Sequence, residues 1–230
     1  MCRRPHVTTT CYATIRNTVI TDKVETIILL HGLWMRSLVL LPHQRWLRAG
    51  GFAVRRFSYP SWRGGLADNA RLLSGFIDET PGDVIHIVAH SLGGLVVLEV
   101  LSHEPDARIR RAVVLGTPYA GCHSGIFLAA QPVLAALVGR TFKDWFDLPR
   151  PALQTAVEIG VIAGIRPVGL GRVIPGLARP NDGVVAVDET RISAAKDSID
   201  LNVSHSGMLV SRACAGQIAS FIRTGRFVHA

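Results

Sequence analysis

Short β-branched runs alternate with longer helical patterns along most of the chain, and this alternation limits the possible fold more than any other feature. The runs are nearly continuous in apolar residues, as in strands that are buried on both faces of a parallel sheet. We predict such strands at 26–30, 52–59, 84–89, 111–115 and 198–203. Residues 157–165 could form another strand or a helix, because their periodicity fits both. The sequence therefore predicts an α/β fold with a doubly wound, mostly parallel sheet.

Helical patterns occupy the intervals between these runs. In one of them, Leu66, Ala70 and Leu73 recur at spacings of three and four, which places them on one face of a helix. Another pattern ends at Gly50-Gly51, a typical helix stop. We predict helices at 40–49, 66–79, 92–101 and 208–223. Helices in these positions would cover both faces of the sheet.

The length of 230 residues fits a single domain at 26–230, preceded by a lead-in at 1–25. Hydrophobic residues make up 48% and charged residues 18%, which excludes a disordered or coiled-coil chain because apolar surface is ample. No apolar run reaches the length of about 18 residues that a membrane span needs. The first residues lack the apolar core of a secretory signal. The sequence thus predicts a soluble, cytoplasmic protein without a transmembrane segment.

Basic residues are concentrated in the first part of the chain. The formal net charge is +8, and residues 1–62 carry nine basic and two acidic side chains. These basic residues are interleaved with apolar ones and no nucleic-acid-binding motif accompanies them, so we predict no nucleic-acid partner. A basic surface is also compatible with peripheral contact with anionic lipid. The four cysteines show no zinc-type spacing, and we predict no metal site.

The segment A-H-S-L-G-G at 89–94 lies directly between a predicted strand and a predicted helix. A tight strand-to-helix turn of the form G-x-S-x-G exposes its serine, and small residues flank it because the chain nearly touches itself there. Ala89 stands in the place of the leading glycine and is still small. The following helix directs free N–H groups at the serine oxygen. Ser91 is therefore the candidate nucleophile; the alternative is a serine that only caps the helix.

A serine hydroxyl needs a base to take its proton and an acid to orient that base. Asp182, in N-D-G-V-V, and His205, in S-H-S-G-M, follow Ser91 in the chain order that such folds use. Asp182 lies in a turn after a candidate strand, and His205 lies between the last strand and the last helix. Asp188 and Glu189 are alternatives to Asp182. The sequence thus predicts a triad of Ser91, Asp182 and His205.

The negative oxygen of a tetrahedral intermediate requires at least two hydrogen-bond donors. The backbone N–H of Leu92 is one candidate, because it directly follows the serine. The loop after the first predicted strand, H-G-L-W at 31–34, supplies a second candidate in Leu33. Gly32 allows the backbone turn that presents this N–H group. The alternative for this loop is an ordinary strand-to-helix turn.

Taken together, these motifs resemble those of α/β-hydrolases of the lipase and esterase type. The matches are H-G-L-W at 31–34, A-H-S-L-G-G at 89–94, G-T-P-Y-A-G at 116–121, N-D-G-V-V at 181–185 and S-H-S-G-M at 204–208. The resemblance implies an α/β-hydrolase fold of about six strands with an apolar helical cap insert at 120–165. It also implies that Ser91 is the nucleophile, His205 the base and Asp182 its partner. Leu33 and Leu92 would then bind the oxyanion, and the mechanism would need no cofactor.

Residues 126–146 contain more apolar side chains than a solvent-facing loop usually carries. They form either a cover over the site or helices that only pack on the sheet. An apolar wall over the site would bury an acyl chain, because each methylene removed from water contributes about 0.8 kcal/mol. We therefore name four candidate substrate-binding residues: Trp34, Phe127, Leu134 and Leu137.

The function predicted from these residues is cleavage of carboxylic esters by a serine hydrolase, with a small-molecule acyl ester or a lipid as the substrate. An acyltransferase or a thioesterase could use the same triad on another acceptor or on a sulfur ester. A non-catalytic lipid-binding homologue would be expected to lack a triad residue, whereas all three candidates are present. Nothing in the sequence indicates an oligomeric state.

Overall fold

The computed structural model describes residues 25–103, 105–131, 133, 135, 138–147, 153, 155–169 and 174–229. The lead-in expected at 1–25 lies outside the described residues, except for its last residue. The candidate substrate-binding residues Leu134 and Leu137 also lie outside them. The described chain consists of strands and α-helices joined by loops and short helical turns.

Parallel strands form one six-stranded sheet in the described part of the chain. Their bounds are β1 Glu25–Leu30, β2 Ala53–Phe57, β3 Val84–His90, β4 Ile109–Leu115, β5 Glu158–Gly164 and β6 Asp197–Leu201. Their order across the sheet is β2-β1-β3-β4-β5-β6, and every neighbouring pair is parallel. Because the chain first winds outward from β1 to β2 and then the other way from β3, the predicted doubly wound α/β fold is confirmed.

Helices cover both faces of this sheet. They are α1 Leu41–Ala49, α2 Leu66–Asp78, α3 Leu92–Leu101, α4 His123–Ala129, α5 Arg140–Asp147 and α6 Arg212–Thr224. Helices α1 and α6 pack together, and α2 packs against α3 and α5. Side chains alternate along a strand, so Ile27 and Leu29 join one core layer whereas Ile28 and Leu30 join the other. No helix among the described residues is both long and apolar enough to span a membrane.

The sequence did not decide whether residues 157–165 form a strand or a helix. In the structure they contain strand β5. Its residues 159–163 are buried between β4 and β6, where a continuous apolar run is favourable. The range expected as a cap insert, 120–165, therefore includes a strand of the sheet together with α4 and α5. Trp145 of α5 is buried, and this helix contacts α2 and α3. Part of the insert thus packs against helices on one face of the sheet.

The carboxyl ends of the parallel strands lie at one edge of the sheet, and backbone hydrogen bonds join the loops that leave them. The N–H of Gly116, after β4, donates to Ile162 O on β5 at 2.9 Å. The N–H of His205, after β6, donates to Asp182 O at 2.9 Å. These bonds bring segments that are remote in sequence to the end of β3, where Ser91 lies.

Candidate active site

Ser91 occupies a strained turn between β3 and α3. Its φ of 54° and ψ of −123° fall in a sparsely populated region, which costs a non-glycine residue about 1–3 kcal/mol. The backbone N–H of Ser91 donates to Leu115 O at 2.8 Å, and this bond holds the turn against β4. The serine is therefore presented at the head of α3, beyond the end of its strand.

Two glycines after Ser91 allow the turn to close. A Cβ atom at Gly93 would lie 2.5 Å from a backbone carbonyl oxygen of the loop after β1, and one at Gly94 would overlap the side chain of Thr117. Ala89, two residues before the serine, is 1% exposed, so its methyl group is accommodated in the core. The turn thus has the steric character that the sequence predicts for a nucleophile elbow.

His205 connects Ser91 to a buried carboxylate. Its Nε2 lies 2.9 Å from Ser91 Oγ, and its Nδ1 lies 2.6 Å from Asp182 Oδ2. When Nδ1 donates its proton to the carboxylate, Nε2 is free to accept the proton of the serine hydroxyl. The structure therefore brings together the three residues that the sequence singles out, in a geometry that permits a histidine to activate a serine.

Asp182 is held rigidly by its own loop. It is 1% exposed, and its Oδ1 accepts the backbone N–H groups of Val184 at 2.9 Å and Val185 at 2.7 Å. Its Oδ2 is left to face His205, and its backbone oxygen accepts the His205 N–H. One carboxylate oxygen thus fixes the turn while the other orients the imidazole.

The two alternative acids are engaged elsewhere. Asp188 is exposed and forms an ion pair with Arg191 at 2.8 Å. Glu189 accepts the backbone N–H groups of Ala186, at 2.8 Å, and of His123. Neither carboxylate contacts His205, so the geometry favours Asp182 as the orienting acid.

The candidate oxyanion donors Leu33 and Leu92 line the same cavity as Ser91. Leu92 is the first residue of α3, where a backbone N–H has no partner within its own helix. The loop after β1 approaches the serine closely, because a Cβ atom at Gly32 would lie 3.1 Å from Ser91 Cβ. A side chain at position 32 would therefore crowd Ser91 and the His90 ring.

The side chains of Tyr59 and His31 hold the loop that carries Leu33. Tyr59 Oη donates to His31 O at 2.9 Å, and His31 Nδ1 donates to Gly32 O at 2.8 Å. The His31 and Tyr59 rings stack with their centroids 4.6 Å apart. Burial lowers the pKa of His31, which keeps its ring neutral. The loop conformation, including Trp34 at φ 59°, is thus held by buried contacts.

An apolar cavity of about 210 Å³ opens beside Ser91 and His205. Its described apolar walls include Trp34, Met35, Leu128, Val138, Phe142 and Val185. The volume exceeds the cavity of about 150 Å³ that holds a benzene molecule and is below the range of about 300–1,000 Å³ typical of drug-sized ligands. The space could therefore hold an apolar group of roughly six to eight carbon atoms.

Phe142, at the start of α5, closes one side of this cavity. A Cβ atom at Gly125 of α4 would overlap the Phe142 ring, so the ring packs directly on the helix backbone. The Phe142 and Phe146 ring centroids are 4.6 Å apart. The phenyl ring is thus wedged between α4 and its own helix.

The family of the chain is decided by a family model. The model of the alpha/beta hydrolase family matches residues 27–215. The chain belongs to this family. A search of curated proteins finds no match.

Solved structures share the fold of this alpha/beta hydrolase at low sequence identity. The Bacillus licheniformis lipase BlEst2 in its mature form has a TM-score of 0.70 and 15% identity, over 88% of this chain and 92% of that chain. The metagenomic carboxyl esterase MGS0156 has a TM-score of 0.63 and 20% identity, over 80% and 65%. The carboxylesterase CesB (YbfK) from Bacillus subtilis has a TM-score of 0.58 and 14% identity, over 89% and 85%. These likenesses show the fold.

The candidate substrate-binding residues are placed unequally around the cavity of this hydrolase. Trp34 lines it and is also 54% exposed to solvent. Phe127 is half-buried on α4 and is not among the described lining residues, whereas the next residue, Leu128, lines the cavity. Successive helical side chains point about 100° apart, so the neighbour and not Phe127 faces the site. Phe142 is a lining residue that the sequence analysis did not name as a candidate.

His90 is a second residue whose contact the sequence did not reveal. Its Nε2 donates to the backbone oxygen of His205 at 3.0 Å, and the two rings lie 4.7 Å apart. Burial, and then the nearby His205, hold the pKa of His90 well below its ordinary value. A neutral His90 therefore supports the His205 backbone without placing a positive charge beside that ring.

Cysteine chemistry and metal chemistry find no support in the described residues. Burial raises the pKa of the Cys122 thiol to about 12, so this cavity-lining group stays protonated. No cluster of His, Cys, Asp or Glu in the described ranges has a geometry that could hold a metal ion.

Proposed function

We propose that this alpha/beta hydrolase cleaves carboxylic esters through an acyl-enzyme formed on Ser91. The observation that carries the proposal is the continuous hydrogen-bond chain from Ser91 Oγ through His205 to Asp182 Oδ2, at the wall of an apolar cavity. A serine in such a chain is activated for attack on a carbonyl carbon. The adjacent apolar space suits the acyl part of an ester.

In the first half of the reaction, Ser91 Oγ attacks the ester carbonyl carbon while His205 Nε2 takes the hydroxyl proton. The oxygen of the tetrahedral intermediate accepts hydrogen bonds from the backbone N–H groups of Leu33 and Leu92. The bond to the alcohol oxygen then breaks, and the imidazolium gives its proton to the departing alcohol. Asp182 stabilises the imidazolium throughout and stays ionised.

In the second half, water replaces the alcohol. His205 takes a proton from water as the water oxygen attacks the acyl carbon, and a second tetrahedral intermediate forms. Collapse of this intermediate releases the carboxylic acid, and the proton on His205 returns to Ser91 Oγ. The enzyme is thereby restored with one ester bond and one water molecule consumed.

The test is a panel of p-nitrophenyl esters of increasing acyl length, assayed with wild type, Ser91→Ala and the control Ser74→Ala. We expect wild type and the exposed-surface control to release p-nitrophenol at equal rates. Ser91→Ala should lose several orders of magnitude in kcat while it stays folded by circular dichroism. Equal turnover by wild type and Ser91→Ala would refute the proposal.

Product analysis with an added alcohol separates hydrolysis from acyl transfer. Release of free carboxylic acid as the main product in the presence of the alcohol supports a hydrolase. If the new ester is the main product although water is in excess, the same three residues catalyse acyl transfer instead. Ligand binding without turnover of any ester would assign a non-catalytic role.

A further inference from the structure

Exposed apolar side chains recur in the segments that leave the carboxyl ends of strands. Of the ten large apolar residues exposed in the described chain, eight lie in loops and short helices that follow strands; the other two are Leu72, within the longer helix α2, and Val228, after α6. The eight, which we call the rim, are Trp34, Leu38, Trp62, Ile126, Val133, Ile165, Val168 and Val210. Single exposed apolar residues are ordinary on a protein surface, but a grouping around one site marks an interaction surface.

Contacts between loops connect parts of the rim to one another and to the active site. The short helices Ser37–Leu40 and Ser206–Val210, which carry Leu38 and Val210, pack against each other. A Cβ atom at Gly183, the residue after Asp182, would overlap the backbone of Val168. Trp34 is both a wall of the cavity and 54% exposed. Four members of the rim, Trp34, Leu38, Val168 and Val210, therefore lie on segments next to the cavity or to the candidate triad.

The charges that accompany the rim are positive. The loop segments 31–40, 58–65, 117–131, 165–169 and 202–211 contain no acidic residue, whereas exposed arginines lie among their apolar side chains at Arg36, Arg63 and Arg166. Arg63 shares a shallow surface depression with Trp62, Arg140 and Lys143. The guanidinium of Arg63 lies 5.4 Å from the centre of the Trp62 ring.

Two acidic residues near this face are already engaged by other groups. Asp144 of α5 accepts the backbone N–H of Leu66 at 2.9 Å, and Asp188 is paired with Arg191. Asp147 is exposed at the end of α5. Other acidic groups, such as Glu25 and Asp106, lie at the opposite, amino edge of the sheet. The active-site face thus combines apolar side chains with an excess of exposed positive charge.

We propose that this face docks on an anionic phospholipid surface, so that the cavity opening meets the membrane. Leu38, Val210 and their rim neighbours would enter the boundary between headgroups and acyl chains, where apolar side chains leave water. Trp34 and Trp62 suit the same boundary, because their rings are amphipathic. The exposed arginines and Lys143 would lie among anionic headgroups, to which each cation contributes attraction. Docking does not depend on ester cleavage and can be measured without it.

The experiment is co-sedimentation of the full chain carrying Ser91→Ala with vesicles, so that hydrolysis cannot alter the lipid. The vesicles are phosphatidylcholine alone and an equimolar mixture with phosphatidylglycerol. We expect binding to the mixture to exceed binding to phosphatidylcholine by at least tenfold. Added salt should weaken binding to the mixture, because it screens the attraction between the cations and the headgroups.

Two paired variants divide the surface into its apolar and charged parts. Leu38→Ser with Val210→Ser should weaken binding to the mixed vesicles about tenfold or more. Arg63→Gln with Lys143→Gln should weaken it about fivefold for each cation removed and reduce its salt dependence. The matched controls are Leu72→Ser with Val228→Ser and Arg110→Gln with Arg226→Gln, all exposed positions outside the rim. Both controls should bind as the parent does.

Each other outcome overturns the proposal. Absence of binding to the mixed vesicles, or equal binding to neutral ones, would remove the anionic surface as the partner. Equal losses in the control pairs would show that binding is not specific to this face. If sedimentation velocity shows a dimer that the Leu38 and Val210 pair abolishes, while vesicles are not bound, the rim is a self-association surface. When Leu38→Ser and Val210→Ser are made in the chain that retains Ser91, this variant should hydrolyse a water-soluble ester at the wild-type rate. That result separates failed docking from failed catalysis.

Discussion

The two edges of the sheet are formed by the same strands but differ in backbone geometry and in the use of charge. The carboxyl edge carries Ser91 and Trp34, the two non-glycine residues of the described chain with positive φ. It also holds the apolar cavity and the rim. The amino edge carries arginine ion pairs, among them Arg108 with Asp106 and Arg111 with Glu158, both at 2.6 Å.

The arginines of these ion pairs join separate elements. Arg108 also donates to Thr80 O at 2.7 Å and to Ile77 O at 2.9 Å, which ties the strand β4 entry to the end of α2. Arg111 donates to Glu158 on β5 and to Ile222 O on α6. Backbone strain and the apolar cavity thus occur at the carboxyl edge, where chemistry is expected, whereas the arginines of the amino edge connect β4 to α2, β5 and α6. Substitutions at the two edges should therefore have different consequences.

The largest effect should come from Asp182→Asn at the carboxyl edge. The asparagine oxygen can still accept the N–H groups of Val184 and Val185, so the melting temperature should change little. Its amide NH₂ would face His205 Nδ1 and favour the wrong tautomer, which should lower kcat by about 10⁴-fold. Asp188→Asn is the matched control and should keep the wild-type rate. If Asp188→Asn loses activity and Asp182→Asn does not, the orienting acid has been misassigned.

At the amino edge, Arg111→Met should lower stability and leave activity unchanged. Removal of the guanidinium leaves Glu158 with Lys196 alone and the Ile222 carbonyl without its donor. We expect the free energy of unfolding to fall by about 1–3 kcal/mol in urea titrations, with kcat for a soluble ester unchanged. Arg110→Met, at the exposed neighbouring position, should stay within about 0.5 kcal/mol of wild type. A loss of kcat in folded Arg111→Met would contradict the functional division between the edges.

A smaller effect is expected when the cavity is lengthened. Phe142→Ala removes the ring that closes one side, so esters with longer acyl chains gain space for additional methylenes. We expect kcat/KM for a long-chain p-nitrophenyl ester to rise about tenfold relative to the acetate, since two or three buried methylenes can contribute that much. Phe76→Ala, which removes a half-buried ring away from the cavity, should leave the chain-length profile unchanged. An unchanged profile in Phe142→Ala would show that this ring does not limit the acyl group.

The last expected effect is a change in the pH dependence of stability at the amino edge. Burial lowers the pKa of His86 from 6.5 to about 4, although Glu25 raises it and Arg111 and Arg110 lower it. As the pH falls, His86 takes up its proton near pH 6.5 in the unfolded chain but only near pH 4 in the folded chain. The protein is therefore most stable with respect to this residue above pH 6.5, and it loses that stability as the pH falls from 6.5 toward about 4. The melting temperature of wild type should therefore fall more steeply across this window than that of His86→Leu; parallel curves would count against the shift.

The strands and the nucleophile turn could be predicted because their signals are local. The strand β3, the small residues around Ser91 and the following helix are contiguous in the chain, so steric rules identify the turn. The order of Ser91, Asp182 and His205 identified the other two candidates. Their hydrogen-bonded geometry depends on contacts between β5 and β6 loops, which the sequence could only imply.

The walls of the cavity were harder to predict because they depend on helix orientation. The choice between Phe127 and Leu128 is set by the rotation of α4, and α4 is held by contacts such as the Phe142 ring on Gly125. His90 likewise adjoins Ser91 in sequence, but its support of His205 is a contact across more than a hundred residues. No periodicity in the chain encodes either relation.

The most direct test of the central claim is the site of covalent labelling by a fluorophosphonate, which reacts with activated serines. After digestion of the labelled, native wild-type protein, mass spectrometry should find the adduct on the peptide that contains Ser91. Labelling should be greatly slowed in His205→Ala, since the base that activates the serine is gone. An adduct at another residue, or equal labelling of wild type and His205→Ala, would contradict an activated Ser91.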